Sequence, residues 1–179
     1  NNDSIPKQSR LKPDEIELPP YVPDLPEIRN DFAIYHDVMT ALDMRVGELL
    51  DELNASGLAD DTIVFYYSDH GGPTPRGKRY LENTGVQVPL VIHVPKKWKH
   101  LCPFDNGTQV DEPVSFVDFA PTVLSLAGLE KPSQMQGRAF LGSKRVEPAK
   151  DSIVFLFGDR FDETDGMRRG ITDGRFKYI

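Results

Sequence analysis

A single cysteine, Cys102, in 179 residues excludes an intramolecular disulfide and any structural metal site built from several thiolates. No run of about 18 apolar residues occurs, so no transmembrane helix is predicted. The start, NNDSIPKQSRLKP, has no charged stretch followed by an apolar core, so no signal peptide is visible there. Basic residues are in deficit. Lys and Arg number 21 against 28 Asp and Glu, and the net charge of −7 argues against a nucleic-acid partner, whose phosphates demand clustered cations. What remains is globular: 39% hydrophobic and 27% charged residues, in a chain long enough to bury one sizeable core.

Six prolines fall within residues 1–26, which read as an extended segment lying over a surface. From Glu27 the pattern becomes helical. Ile28, Phe32, Tyr35, Met39, Leu42, Val46, Leu49, Leu50 and Leu53 recur at spacings of three and four, predicting one apolar stripe to about Ser56 and a stop at Gly57. Thr62–Tyr67 and Pro89–Val94 are β-branched and aromatic with little polar alternation, the pattern of strands covered on both faces. Asp118 is placed as the N-cap of a second helix, with Pro121 in its first turn, Val123, Leu124 and Leu126 on its buried side and Gly128 past its end. Ile153–Phe157 is a third buried strand, and Asp173-Gly174 between two β-rich runs is a two-residue hairpin signal. The order predicts an α/β class with a mixed, mainly parallel sheet flanked by helices and a C-terminal hairpin. The run GRFKYI stops without turn or cap, as though a strand continued.

In open α/β sheets, ligands gather beyond the carboxyl ends of the strands, and Ser68-Asp69-His70-Gly71-Gly72 sits at such an end. The Asp69 carboxylate and the His70 imidazole are donors suited to a divalent cation, although an isolated Asp-His-Gly is more often an ordinary turn, and two residues do not make a metal site. Lys78, between Arg76 and Arg79, lies in the loop that returns to the next strand. A lysine there could offset charge on a cation-bound anion, or could be a solvated loop residue.

Four blocks occur in one order: LDMRVGELLDELNASGLADDTIVFYYSDHG, GKRYLENTGVQVPLVIHVP, VSFVDFAPTVLSLAGLEKPSQMQGRAFLG and RRGITDGRFKYI. In register over residues 42–179, they resemble the later part of a type I sulfatase of the alkaline phosphatase superfamily. LPPYVPDLPEIRNDFAIYHDVM and FGDRFDETDGMRRGITDGRFKYI further resemble bacterial N-sulphoglucosamine sulphohydrolase-like members. The resemblance implies a metal ligand at Asp69, a ligand or sulfate contact at His70, and a sulfate-contacting lysine at Lys78. Arg76, Arg160, Asp162 and Glu163 become candidates for contacts to the sugar. It further implies one divalent cation, calcium ahead of manganese or magnesium, a sulfated saccharide as substrate, and a periplasmic or secreted location.

The same comparison exposes gaps. The family's nucleophile is a formylglycine made from the first residue of Cys-or-Ser-x-Pro-x-Arg, and no such motif stands in this chain: Cys102-Pro103 has its proline one position early, and Ser4 to Gln8 ends in glutamine where arginine is needed. The paired aspartates of the family's first strand are absent too, and Asn83 stands where glutamate is frequent. The expectation is a partial sulfatase domain over 1–179, divided as 1–26, 27–157 and 158–179. Formylglycine and the remaining ligands would lie in an N-terminal half, without which these residues would be inactive. Two other readings remain: a phosphonate monoester hydrolase or phosphodiesterase of the same superfamily, and a non-catalytic fragment or glycan-binding pseudoenzyme.

Overall fold

The computed structural model describes residues 10–149, 152–159 and 165–179. The chain divides into two units, Asn1–Ala59 and Asp60–Ile179.

In the first unit, Pro26 opens helix α1, Pro26–Ala55, and its fixed φ suits a first turn that needs no amide donor. The helix ends where the sequence places its stop, with Gly57 left-handed at φ 72°. Arg29 ties the proline-rich segment to the helix. Its guanidinium donates to both carboxylate oxygens of Asp24, at 2.5 and 2.8 Å, and to the Ile16 carbonyl at 2.8 Å. This fork holds the Asp24 carboxyl below its ordinary range. Ile16, Val22 and Ala33 are buried, while Leu42, Leu49 and Leu50 in the second half of the predicted stripe are exposed.

In the second unit, β1, Val64–Tyr67, pairs with β2, Leu90–His93, with Val64 opposite His93 and Tyr67 opposite Leu90. The pairing is antiparallel. The only helix between them is the single turn α2, Asn83–Val86, far too short for the crossover a parallel pair requires. Beyond them, α3 spans Phe119–Leu126. Its buried residues are Pro121, Thr122 and Ser125, and Val123, expected inside, is 59% exposed. Hydrogen bonding explains the reversal. Thr122 Oγ1 accepts from the Phe140 amide at 3.1 Å and Ser125 Oγ from the Lys144 amide at 2.8 Å, so small hydroxyl residues face the strip holding buried Ala139, Phe140 and Leu141. Asp118 is buried ahead of α3, but its carboxylate turns back to the Ser115 amide and across to the Arg138 amide, rather than capping α3.

A second sheet, in order β3-β4-β5, joins Val154–Gly158, Arg168–Thr172 and Lys177–Tyr178, again antiparallel throughout. The α/β class and the C-terminal hairpin hold, while every pairing among the described residues is antiparallel instead of mainly parallel. The hairpin connection is residues 173–176, two longer than its dipeptide suggested, because the Asp173 carboxylate accepts from the amides of Arg175 and Phe176 and stabilises the wider turn. The strands are less covered than their apolar sequences suggested. Tyr67 is 47% exposed, and Phe155 and Phe157, neighbours on one face of β3, are each 72% exposed. Among the described residues no helix is long and apolar enough to cross a membrane.

Candidate functional site

The site grows from the end of β1. Phe65 and Tyr67 share one face by the two-residue period of a strand, and both meet the Phe119 ring at the start of α3, at 6.3 and 4.9 Å between centroids. Phe116 adds a contact to Tyr67 at 5.9 Å. The residue immediately before Ser68-Asp69-His70 is therefore pinned by aromatic packing.

Past the strand, Ser68 Oγ donates to the His70 carbonyl at 2.6 Å, closing a tight turn. His70 Nδ1 lies 2.9 Å from the Gly71 carbonyl. A carbonyl only accepts, so Nδ1 carries the hydrogen and the neutral ring leaves its lone pair on Nε2. That Nε2 stands 3.4 Å from Asp69 Oδ2. Two ligand atoms at right angles around a cation, each about 2.3–2.5 Å from it, are about 3.3–3.5 Å apart, so this donor pair fits neighbouring positions around one divalent ion. Among the described residues no group of three or more His, Cys, Asp or Glu side chains gathers as a metal site. Asp69 is 80% and His70 41% exposed at the side chain, which leaves their donor atoms open to further ligands.

Lys78 is brought to the same turn through the backbone. Its amide donates to the Gly72 carbonyl at 2.8 Å, and the Gly71 amide donates to the Gly85 carbonyl at 2.9 Å, folding residues 71–85 back on themselves. Such closeness excludes side chains. A Cβ on Gly71 would lie 1.8 Å from the Thr84 carbonyl oxygen, and one on Gly77 would lie 2.1 Å from that of Gly72. Two arginines flank Lys78 in left-handed backbone, Arg76 at φ 60° and Arg79 at φ 88°, conformations that cost energy for residues with a Cβ. Thr84 Oγ1 donates to the Arg76 carbonyl at 2.6 Å and holds the first of them. The second sheet backs the far side of the loop, with the Arg168 guanidinium 4.9 Å from the Tyr80 ring centroid and Lys177 Nζ donating to the Leu81 carbonyl at 2.9 Å.

Asp69, His70, Arg76 and Lys78 thus share one folded loop, with Lys78 half-buried and Arg76 exposed. Arg160, Asp162 and Glu163 lie outside the described residues. Thr84 and Lys177 were missed from sequence. Gly77 and Gly85 carried a faint signal, since closely spaced glycines after a strand mark a backbone that must pack against itself.

The fold is thus α/β, with one carboxylate and one imidazole donor at a strand end and a lysine on the returning loop. The sulfatase family model matches residues 5–129, and the chain belongs to the sulfatase family. It is similar to an ulvan-active sulfatase of Formosa agariphila, 38% identical over 94% of this chain and 27% of that protein. Human N-sulphoglucosamine sulphohydrolase is 31% identical over 79% of this chain and 26% of its own length, and mouse steryl-sulfatase 33% over 72% and 23%. The chain therefore spans about a quarter of the length of these relatives.

Proposed function

We propose that these residues form part of a sulfuric ester hydrolase acting on a sulfated carbohydrate. The observation that carries this reading is the Asp69–His70 donor pair, 3.4 Å apart, on the same folded loop as Lys78. Family membership supports the ester hydrolase. Two relatives name a substrate, ulvan in one and N-sulphoglucosamine in the other, and these support a sulfated saccharide, with a sulfamate as the alternative bond.

Asp69 Oδ2 and His70 Nε2 would hold the divalent cation, calcium ahead of manganese or magnesium. When bound, such an ion supplies Lewis-acid charge to sulfate oxygens. Asp69 contributes anionic charge that favours a cation at this point. His70, oriented by its Nδ1–H bond to the Gly71 carbonyl, would in its neutral form present the Nε2 lone pair without further reorientation. Lys78 contributes the positive charge of its ammonium to the sulfate and to the leaving oxygen as negative charge develops there. Arg76, two residues away and exposed, would reach the saccharide, as would Arg160, Asp162 and Glu163. Nothing in the chain has the formylglycine motif, so the nucleophile would come from an N-terminal half of the same domain, and the protein would be exported.

The test is sulfate release from a panel of O-sulfated and N-sulfated saccharides by the full-length protein, with the 179-residue polypeptide alongside. Turnover by the full-length protein and none by the isolated chain is expected. Turnover by the isolated chain, or hydrolysis of phosphate diesters in preference to sulfates, would overturn the reading.

A further inference from the structure

Lys177 is a half-buried lysine far from Asp69 in sequence that the chemistry above does not use. It stands on β5, paired with Thr172, and its ammonium reaches across the fold to the Leu81 carbonyl at 2.9 Å. Leu81 is 3% exposed, so the acceptor belongs to a buried residue, set between the exposed Tyr80 and the half-buried Glu82. Next to it, Glu82 Oε2 is buried and has no hydrogen-bond partner among the described residues. Burial lowers the Lys177 ammonium from its ordinary range, and the Glu82 charge opposes that shift.

The segment these groups grip runs directly on from Lys78. Left-handed arginines persist only where surrounding contacts over-determine them. On the Arg76 side, Thr84 Oγ1 and the Gly72 carbonyl supply those contacts. On the Arg79 side, the Tyr80 amide's bond to the Gly77 carbonyl is joined by contacts from the second sheet: Arg168 over Tyr80 and Lys177 on Leu81. Of these, the Lys177 bond alone is a directional, charge-assisted hydrogen bond to the backbone of 79–82.

We propose that Lys177 is a positioning residue for Lys78: from β5 it clamps the backbone of residues 79–82 beside the half-buried Glu82, and so fixes where the Lys78 ammonium is presented. Its effect on turnover rests on the sulfatase reading above, whereas the clamp does not. A lysine acting on a bound anion must be held within about 0.5 Å of its working place, and a displacement of about 1 Å costs up to about a hundredfold in rate. The C-terminal hairpin thereby acquires a role in the site without contributing a group to it.

The loop offers its own reporter, because Arg76, Lys78 and Arg79 are trypsin sites. Brief native digestion of the full-length protein, read by mass spectrometry, compares Lys177→Met, which keeps the aliphatic stem, with the conservative Lys177→Arg and with Glu82→Gln. Cleavage after residues 76, 78 and 79 should rise about tenfold in Lys177→Met relative to cleavage after Arg45, as the loop opens locally, and stay near wild type in Lys177→Arg. Glu82→Gln, which keeps the Lys177 donor, should move it less than Lys177→Met. In kinetics, Lys177→Met should lower kcat/KM for a sulfate ester about tenfold, yet by less than twofold in a Lys78→Ala background, since groups acting through one another are not additive. Unchanged cleavage in the loop, cleavage raised equally at Arg45, or additive kinetics would overturn the proposal. If the wild-type protein releases no sulfate, the reading of the preceding section fails, and the digestion still decides the clamp.

Discussion

Gly85→Ala puts the packing of the Lys78 loop to a quantitative test. Gly85 is buried, its amide donates to the Glu82 carbonyl at 2.9 Å, and its carbonyl accepts from the Gly71 amide at 2.9 Å. A Cβ there would lie 2.2 Å from the Tyr80 carbonyl oxygen and 2.5 Å from that of Gly77. Both are backbone atoms, so neither can swing away as a side-chain tip could. Relief requires moving two peptide units, and the Gly77 carbonyl is itself the acceptor for the Tyr80 amide at 3.1 Å. Overpacking of this kind costs about 1–3 kcal/mol, and one lost backbone hydrogen bond adds about 1 kcal/mol. A total of about 3 kcal/mol corresponds to a fall in Tm of about 6–12 °C for a protein of this size. The control is Gly107→Ala: at φ 78° with nothing within 4 Å of the added Cβ, it should cost only the left-handed penalty of about 1–2 kcal/mol. Thermal unfolding followed by circular dichroism measures both. A Gly85→Ala protein as stable as Gly107→Ala would refute the steric account of the loop.

Arg138→Met should cost about 2 kcal/mol in denaturant unfolding, because Arg138 and Glu112 are only 22% and 16% exposed and pair at 2.5 Å, and the change leaves the Glu112 carboxylate with Arg145 alone, at 3.9 Å. The exposed Lys97–Asp61 pair is the contrast, and Lys97→Met should cost under about 1 kcal/mol by the same measurement. Asp173 accepts two backbone amides, which hold its carboxyl below 3.8 in the folded state. A depressed folded pKa gives stability that is fully present above 3.8 and lost as pH falls through the folded value, so the stability gap between wild type and Asp173→Ala should be widest above pH 3.8 and close below it. Cation affinity, followed by calorimetry with calcium and manganese in turn, should fall about 10- to 100-fold in His70→Ala, and equal affinity would remove His70 from the ligands.

Local pattern carried much of the fold. The α1 boundaries were legible because proline, a three-four stripe and a glycine stop all act within a few residues of where they sit, and β1 because β-branched and aromatic residues cluster at 62–67. Pairing partners were not, since antiparallel register between Val64 and His93 is written in no local period. Nor was the buried face of α3: apolarity pointed to Val123, whereas hydrogen bonds to residues 140 and 144 placed Thr122 and Ser125 inside. At the site, Asp69 and His70 were visible from chemistry at a strand end. Lys177 was not, because its contact with Leu81 spans 96 positions and leaves no trace near either residue.

The most direct test of the central reading is sulfate release by the full-length protein with Lys78 intact and with Lys78→Ala. Release that falls at least about a hundredfold in Lys78→Ala, with the thermal transition unmoved, is the expected result. Wild-type rates in Lys78→Ala, or no sulfate release from any sulfated saccharide by the intact protein, would contradict it.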